Sequence, residues 1–83
     1  MPWCSENVRL RMMIKEMEDS DDWVVVKAKR DDTAFYEKIR EMKGIFYPPR
    51  FESEFKKYTI GDTDFYCLRL SDRISRNDLL PFL

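Results

Sequence analysis

The sequence contains no histidine. Histidine is the usual general base near neutral pH, a member of the Ser-His-Asp and Cys-His catalytic arrangements, and the common partner of cysteine in zinc sites. Its absence excludes these kinds of site. Carboxylates remain as the side chains that could carry chemistry.

Glycine is almost as scarce, with Gly44 and Gly61 as the only two. A phosphate-cradling Walker loop and a G-x-G-x-x-G dinucleotide turn each need several glycines close together, so neither motif can exist here. The two cysteines, Cys4 and Cys67, are too few for a cysteine cluster or a disulfide scaffold. We therefore expect two reduced thiols and no metal or nucleotide cofactor.

The sequence also lacks a long apolar run near its start. A signal peptide or a transmembrane helix needs an uninterrupted apolar segment, and charged residues interrupt the first 20 positions. We expect a cytoplasmic protein with no membrane association. The interrupting residues are Glu6, Arg9, Arg11, Lys15, Glu16, Glu18 and Asp19.

What is present is the composition of a soluble globular protein. The 83 residues are 43% hydrophobic and 37% charged, which suits one domain over residues 1–83 with one core. The net charge of −1 argues against nucleic-acid binding by bulk charge alone. Any charged binding surface must therefore come from the distribution of the charges. The oligomeric state has no signal in the sequence.

The stretch from Trp23 to Gly44 gives the clearest structural signal. It opens with Trp23-Val24-Val25-Val26, which is aromatic and β-branched and so predicts a strand that ends near Arg30. Asp31 or Asp32 can cap a following helix, whose apolar positions recur at helical spacing. Gly44 is placed to end that helix in a left-handed conformation. The helical positions are Phe35, Ile39 and Met42.

The segment Val8 to Met17 fits two templates. Apolar and polar residues alternate as in a half-buried strand, while Leu10, Ile14 and Met17 also fit a helix, and the residue types are good helix formers. The alternation and the short acidic connector before Trp23 favour an antiparallel hairpin. We take this segment as a strand and keep the helix as the alternative.

After the central helix, Ile45-Phe46-Tyr47 predicts a sheet edge or a loop, because Pro48-Pro49 cannot donate ladder hydrogen bonds. Phe51 to Ile60 has helical spacing at its start and a strand-like end, which a helical turn passing into a strand would satisfy. Phe65 to Leu70 alternates as a strand. In the tail, Ser71 or Ser75 can cap a short turn of helix.

These elements predict an α+β fold, in which a small antiparallel sheet is covered on one face by the central helix. The sheet would comprise the N-terminal hairpin and a C-terminal strand or hairpin. The predicted core consists of Val8, Leu10, Met12, Ile14, Val24, Val26, Phe35, Ile39, Met42, Tyr66, Leu68 and Leu70.

Two acidic groups could supply chemistry. Asp62-Thr63-Asp64 has a spacing that could hold a divalent ion, and Asp19, Asp21 and Asp22 form a second cluster. Both lie where turns are expected, and aspartate is a standard turn residue. We assign neither a metal nor a catalytic role, and a carboxylate- or metal-dependent hydrolase using Asp62 and Asp64 is the enzymatic alternative.

The strongest binding signal is a face of positive charge. If Val8–Met17 and the Trp23 segment are both strands, the sheet face away from the helix carries only basic charges together with an aromatic ring. Such a surface can track phosphates and stack bases, although long basic stems also simply cover apolar sheet. The predicted partner-binding residues are Arg9, Arg11, Lys15, Lys27, Lys29, Phe65 and Arg69.

We therefore expect a small non-enzymatic binding or regulatory protein that docks on a partner of nucleic-acid metabolism. The partner is another protein or a protein–nucleic-acid complex. By analogy, a virus- or mobile-element-encoded inhibitor or an antitoxin-like factor has this character. The alternative is direct binding of RNA or single-stranded nucleic acid on the basic sheet face.

Overall fold

The computed structural model describes residues 2–82, with the side chains of residues 7–82. It has three antiparallel strands and helices, which confirms the predicted α+β class. No described helix combines the length and the apolar character that a membrane crossing requires. The elements are α1 (Pro2–Asp19), β1 (Trp23–Lys29), α2 (Thr33–Phe46), β2 (Phe55–Ile60), β3 (Thr63–Arg69) and α3 (Arg76–Leu79), with 3₁₀ turns at Pro49–Glu54 and Leu80–Phe82.

The sheet has the order β1-β3-β2, so that β3 lies in the centre and pairs antiparallel with both neighbours. Of the two predicted C-terminal arrangements, a strand or a hairpin, the structure has the hairpin, formed by β2 and β3. Its turn contains Gly61, whose φ of 63° lies in the left-handed region that glycine adopts without steric cost. Leu68 on β3 lies opposite Val24 on one side and Phe55 on the other, which fixes the register of the whole sheet.

The central helix α2 covers one face of the sheet, as predicted. Ile39 and Met42 are buried in one cluster with Val24, Tyr66 and Leu68. Asp32 caps the helix by accepting a hydrogen bond from the backbone N–H of Phe35 at 3.1 Å. The same cluster also contains Ala28, Tyr47, Ile74 and Leu79, which the predicted core omitted.

The predicted N-terminal hairpin is wrong, because residues 8–17 lie within the helix α1. Leu10, Ile14 and Met17 recur at i, i+4 and i+7 and pack on the sheet face away from α2, where Ile60 and Cys67 are buried. A helix lets this stripe cover the second sheet face, and the segment's Met, Leu, Lys, Arg and Glu residues favour helix intrinsically. Local propensity and burial together outweigh the alternation that favoured a strand.

Two predicted core residues on this segment are consequently wrong. Val8 is 54% exposed and Met12 is 61% exposed, because a helix turns both away from the face that carries Ile14. Cys67, which we expect to be a reduced thiol, is free and fully buried, and burial raises the pKa of its thiol to about 11. The side chain of Cys4 lies outside the described residues.

The predicted end of the central helix is also wrong. The helix continues through Gly44 to Phe46, so Ile45 and Phe46 form its last turn instead of a sheet edge or loop. Pro48 explains the stop, since the residue before a proline is pushed away from helical geometry, and Tyr47 has φ −127° and ψ 65°. Tyr47 is buried, and its hydroxyl donates to the carbonyl oxygen of Arg69 at 3.0 Å.

The segment that leads into β2 is a 3₁₀ turn followed by a strand, as predicted for residues 51–60. Ser75 occupies the N-cap position of α3, as predicted, and the Asp78 carboxylate accepts hydrogen bonds from the Ser75 backbone N–H at 2.9 Å and from its hydroxyl at 3.1 Å. Arg73 anchors this end of the chain. Its guanidinium lies 3.6 Å from the ring centroid of Phe51 and 2.9 Å from a carboxylate oxygen of Glu54.

Candidate binding groove

Asp64 is a charged residue buried beside α2, with only 4% of its surface exposed. It lies on the central strand β3 and, by alternation, on the same sheet face as Tyr66 and Leu68. The hydroxyl of Thr59 donates to one carboxylate oxygen at 2.6 Å, and the hydroxyl of Tyr36 donates to the other. The ammonium of Lys57 lies 3.8 Å from the second oxygen.

These contacts determine the protonation of the cluster. The hydrogen bonds from Thr59 and Tyr36, helped by the charge of Lys57, hold the pKa of Asp64 below its ordinary value. The bond to Asp64, together with desolvation, raises the pKa of Tyr36 to about 12. At neutral pH the carboxylate is therefore charged and the phenol protonated, so Asp64 acts as a fixed hydrogen-bond acceptor.

The carboxylates of the predicted D-x-D pair do not come together. Asp62 lies in the exposed turn, where the Thr63 hydroxyl donates to its carboxylate at 3.2 Å, while Asp64 is buried under α2. Among the described residues, no three His, Cys, Asp or Glu side chains are grouped in a way that could hold a metal ion. The arrangement thus gives Asp64 a positioning role for Tyr36 and Lys57.

A groove of about 420 Å³ opens beside this cluster, between α2 and the strands β2 and β3. Its volume is in the range typical of ligand pockets. Aromatic and aliphatic side chains form its floor, and three basic side chains surround it. This groove, called the α2 groove below, is lined by Tyr36, Glu37, Ile39, Arg40, Lys43, Phe55, Lys57 and Tyr66.

The lysines of the α2 groove lie over aromatic rings. The ammonium of Lys57 is 6.0 Å from the ring centroid of Tyr36 and 5.9 Å from that of Tyr66. Lys43 is 5.1 Å from the centroid of Phe55. Each cation is attracted by the electron-rich face of a ring. The groove therefore combines positive charge with flat apolar surface.

The charges around the groove are only partly neutralised. Lys57 pairs with the buried Asp64, and Lys43 lies 3.6 Å from Glu52 in a pair that is exposed to solvent. Arg40 makes no ion pair with any residue in the part of the chain that the structure describes. Glu37 is the one acidic side chain in the lining. The groove therefore keeps a basic side chain free for an anionic ligand.

The predicted basic face is only partly formed. Lys27, Lys29, Phe65 and Arg69 do lie on the sheet face away from α2, as their alternation predicts, but α1 packs on that face. Within the described residues, this sheet face is therefore partly covered by α1 and is not one open basic surface. The physical reason is that Ile14 and its apolar neighbours on α1 cover the surface that a strand would have left exposed.

A narrower cleft remains beside α1, with a volume of about 390 Å³. It brings together Arg11, Lys15, Lys27 and Phe65 of the predicted set. Acidic side chains enter it as well, and Glu18 lies 3.9 Å from Lys27. This α1 cleft is lined by Arg11, Ile14, Lys15, Glu18, Asp19, Lys27, Ile60 and Phe65, and therefore not by the predicted residues Arg9, Lys29 and Arg69.

Sequence reasoning missed the α2 groove. One signal was available, because Tyr36, Arg40 and Lys43 recur at i, i+4 and i+7 and so share one side of the predicted helix. The other walls come from β2 and β3, whose position under this helix depends on strand order. Only the folded structure brings Phe55, Lys57 and Tyr66 to that side.

Comparison with known proteins gives no match to a family model, a curated protein or a solved structure.

Proposed function

We propose that this protein is a small non-enzymatic binding protein that docks on a partner of nucleic-acid metabolism, and that the α2 groove is its docking site. The partner is a protein–nucleic-acid complex. One observation carries the proposal: Arg40, Lys43 and Lys57 surround a groove floored by aromatic rings. Positive charge next to flat apolar surface is the chemistry that contacts phosphates and bases.

The non-enzymatic character is supported by how the buried carboxylate is used. Both oxygens of Asp64 accept hydrogen bonds from protein hydroxyls, and Lys57 lies beside one of them. A general base needs to reach a substrate proton within hydrogen-bond distance. Asp64 is instead enclosed by Thr59, Tyr36 and Lys57.

The experiment is an affinity capture from cells that express the tagged full-length protein, followed by identification of the proteins and nucleic acid retained. The groove variant is Arg40→Glu with Lys43→Glu, which reverses two charges at the rim. The matched control is Lys38→Glu with Lys56→Glu, which changes net charge equally at exposed positions that line neither the α2 groove nor the α1 cleft.

We expect the wild type and the control to retain the same protein–nucleic-acid complex and the groove variant to lose it. Retention by all three proteins would show that the groove is not the docking site. Turnover of a phosphoester substrate by the purified wild type, lost in Asp64→Asn, would contradict the non-enzymatic proposal and support the hydrolase alternative.

A further inference from the structure

The tyrosine at the bottom of the α2 groove has an unused hydrogen-bonding group. Tyr66 is 4% exposed, and its hydroxyl makes no hydrogen bond with any residue that the structure describes. The neighbouring tyrosines differ, since Tyr36 donates to Asp64 and Tyr47 donates to the backbone of Arg69. A hydroxyl without a protein partner is available to hydrogen-bond with water or with a ligand.

The position of this hydroxyl shows where a partner would come from. Within residues 7–82, no completely buried side-chain oxygen or nitrogen lacks a hydrogen bond, so the Tyr66 hydroxyl must reach open space. Tyr66 lines the α2 groove. Its ring is packed in the core against Phe35, Tyr36 and Phe55. Its hydroxyl therefore faces the groove.

The surroundings of the hydroxyl define it as a donor. Desolvation and the nearby Asp64 raise the pKa of Tyr66, so the phenol keeps its proton at neutral pH. Lys57 lies over the same ring, and Arg40 lines the groove without an ion pair among the described residues. One O–H donor and two cations in one groove suit an oxyanion whose oxygens accept all three contacts.

The apolar part of the groove adds a requirement on the ligand. Phe55 is half-buried, and its centroid lies 5.9 Å from that of Tyr66, so a flat apolar surface lies beside the predicted oxyanion position. The lysine over Phe55 is on a long flexible stem whose exposed Glu52 partner holds it weakly. A planar ring can therefore displace Lys43 from the face of Phe55.

We propose that the α2 groove binds one nucleotide unit of single-stranded nucleic acid. The phosphate accepts a hydrogen bond from Tyr66 and pairs with Arg40 and Lys57, and the base stacks on Phe55. This inference rests on the proposed function, because it assigns the nucleic-acid part of the partner to the groove. Binding is independent of base sequence, since stacking and phosphate contacts do not distinguish bases.

The test is the binding of a fluorescently labelled ten-nucleotide single-stranded RNA of mixed sequence to the full-length protein, measured by anisotropy at several salt concentrations. The most specific variant is Tyr66→Phe, which removes only the hydroxyl. We expect it to weaken RNA binding about tenfold, the effect of losing a hydrogen bond to a charged group. We expect its melting temperature to equal that of the wild type, because the hydroxyl has no described partner.

The charge variants complete the test. Arg40→Glu with Lys43→Glu should lose RNA binding, whereas Lys38→Glu with Lys56→Glu should retain most of it. The logarithm of the wild-type affinity should fall with the logarithm of salt concentration with a slope of roughly −0.7 for each phosphate contacted. If Tyr66→Phe folds poorly, Arg40→Gln replaces it, again with an expected loss of about tenfold.

Three outcomes would overturn the inference. The first is equal RNA affinity in the wild type and Tyr66→Phe, and the second is tighter binding of a labelled oligoglutamate peptide than of the RNA. The third is no RNA binding at any salt concentration. If the third outcome accompanies loss of the captured complex in the groove variant, the proposed docking site stands and the nucleotide inference alone fails.

Discussion

Asp64 is the residue on which the shape of the α2 groove depends. It is buried on the central strand, and it holds Tyr36 on α2 and Lys57 on β2 toward the same point. A buried charge needs partners, and Asp64 holds Tyr36 and Lys57 in a fixed geometry as its partners. Removing the charge therefore releases both neighbours. The groove therefore depends on a residue that does not line it.

The pH dependence of stability should report this cluster. The folded-state pKa of Asp64 lies below its ordinary value of 3.8, so the stability that it contributes is complete above that value and is lost as pH falls through the folded-state pKa. Asp64→Asn keeps the shape of the side chain but loses the charge. This substitution should lower the free energy of unfolding by about 1.5–3 kcal/mol at pH 7, because hydrogen bonds to a charged acceptor are lost.

Urea unfolding of the wild type and Asp64→Asn at pH 7 and at pH 2 measures this effect. The difference between the two proteins should shrink at pH 2, since this pH lies below the ordinary pKa of 3.8, where the stability contributed by the charge is being lost. Asp62→Asn is the control, because its side chain is exposed and bonded only to Thr63 among the described residues. An equal difference at both pH values would mean that the charge of Asp64 contributes no stability.

The sequence alone partly indicated where Asp64 lies. The alternation of the strand Phe65 to Leu70, extended back by one residue, puts Asp64 on the same face as Tyr66 and Leu68. The Gly61-Asp62 turn instead suggested that Asp64 was a solvated turn residue. Its partner Tyr36 could not be predicted, because it is 28 residues away and lies on another element.

Among the elements, α1 is where the sequence and the structure differ most. A strand puts Met12 and Ile14 on the same face, whereas the helix puts them on opposite faces. Ile14 is 3% exposed and Met12 is 61% exposed. The alternation of apolar and basic residues in this segment is thus compatible with a helix that uses only its Leu10, Ile14 and Met17 stripe.

A pair of alanine substitutions separates the two arrangements. Ile14→Ala should cost about 2–5 kcal/mol of unfolding free energy, as for a buried aliphatic truncation. Met12→Ala should change it by no more than about 0.5 kcal/mol, as for an exposed position. Chemical denaturation measures both. Similar large losses in both variants would support the strand and contradict α1.

The helix α2 was predicted from its spacing of apolar residues, and this prediction was correct except at its end. Ile39 is 4% exposed and packs in the cluster that contains Val24 and Leu68. Ile39→Ala should therefore lower the free energy of unfolding by about 2–5 kcal/mol. Lys38→Ala, on the exposed side of the same helix, should lower it by less than about 0.5 kcal/mol. A loss below about 0.5 kcal/mol for Ile39→Ala in a denaturant titration would mean that α2 buries another face.

The end of α2 was mispredicted for a local reason. Glycine is common just after a helix, where it adopts a left-handed conformation. Gly44 does not adopt this conformation. Among the described glycines, the one with positive φ is Gly61. Pro48 supplies the stop two residues after the helix. When both residue types follow a helical pattern, the proline gives the stronger restriction on the backbone.

For the whole molecule, the two helices on opposite faces decide which surfaces can bind. The order of the predicted elements was enough to predict the fold class. The strand order and the placement of α1 could not be predicted, because they depend on long-range packing that local sequence patterns do not encode. As a result, the α1 side of the sheet is covered and keeps a cleft of mixed charge. The α2 side has the groove in which aromatic rings and basic side chains meet.

The measurement that tests the α2 groove most directly is a chemical-shift titration. The 10.1 kDa chain is small enough for amide spectra of the ¹⁵N-labelled protein, recorded while unlabelled ten-nucleotide RNA is added. We expect the largest shifts in residues 36–43, 55–57 and 66. Shifts concentrated in residues 11–19 and 27 would instead place the site in the α1 cleft, and the absence of shifts would contradict nucleic-acid binding by the groove.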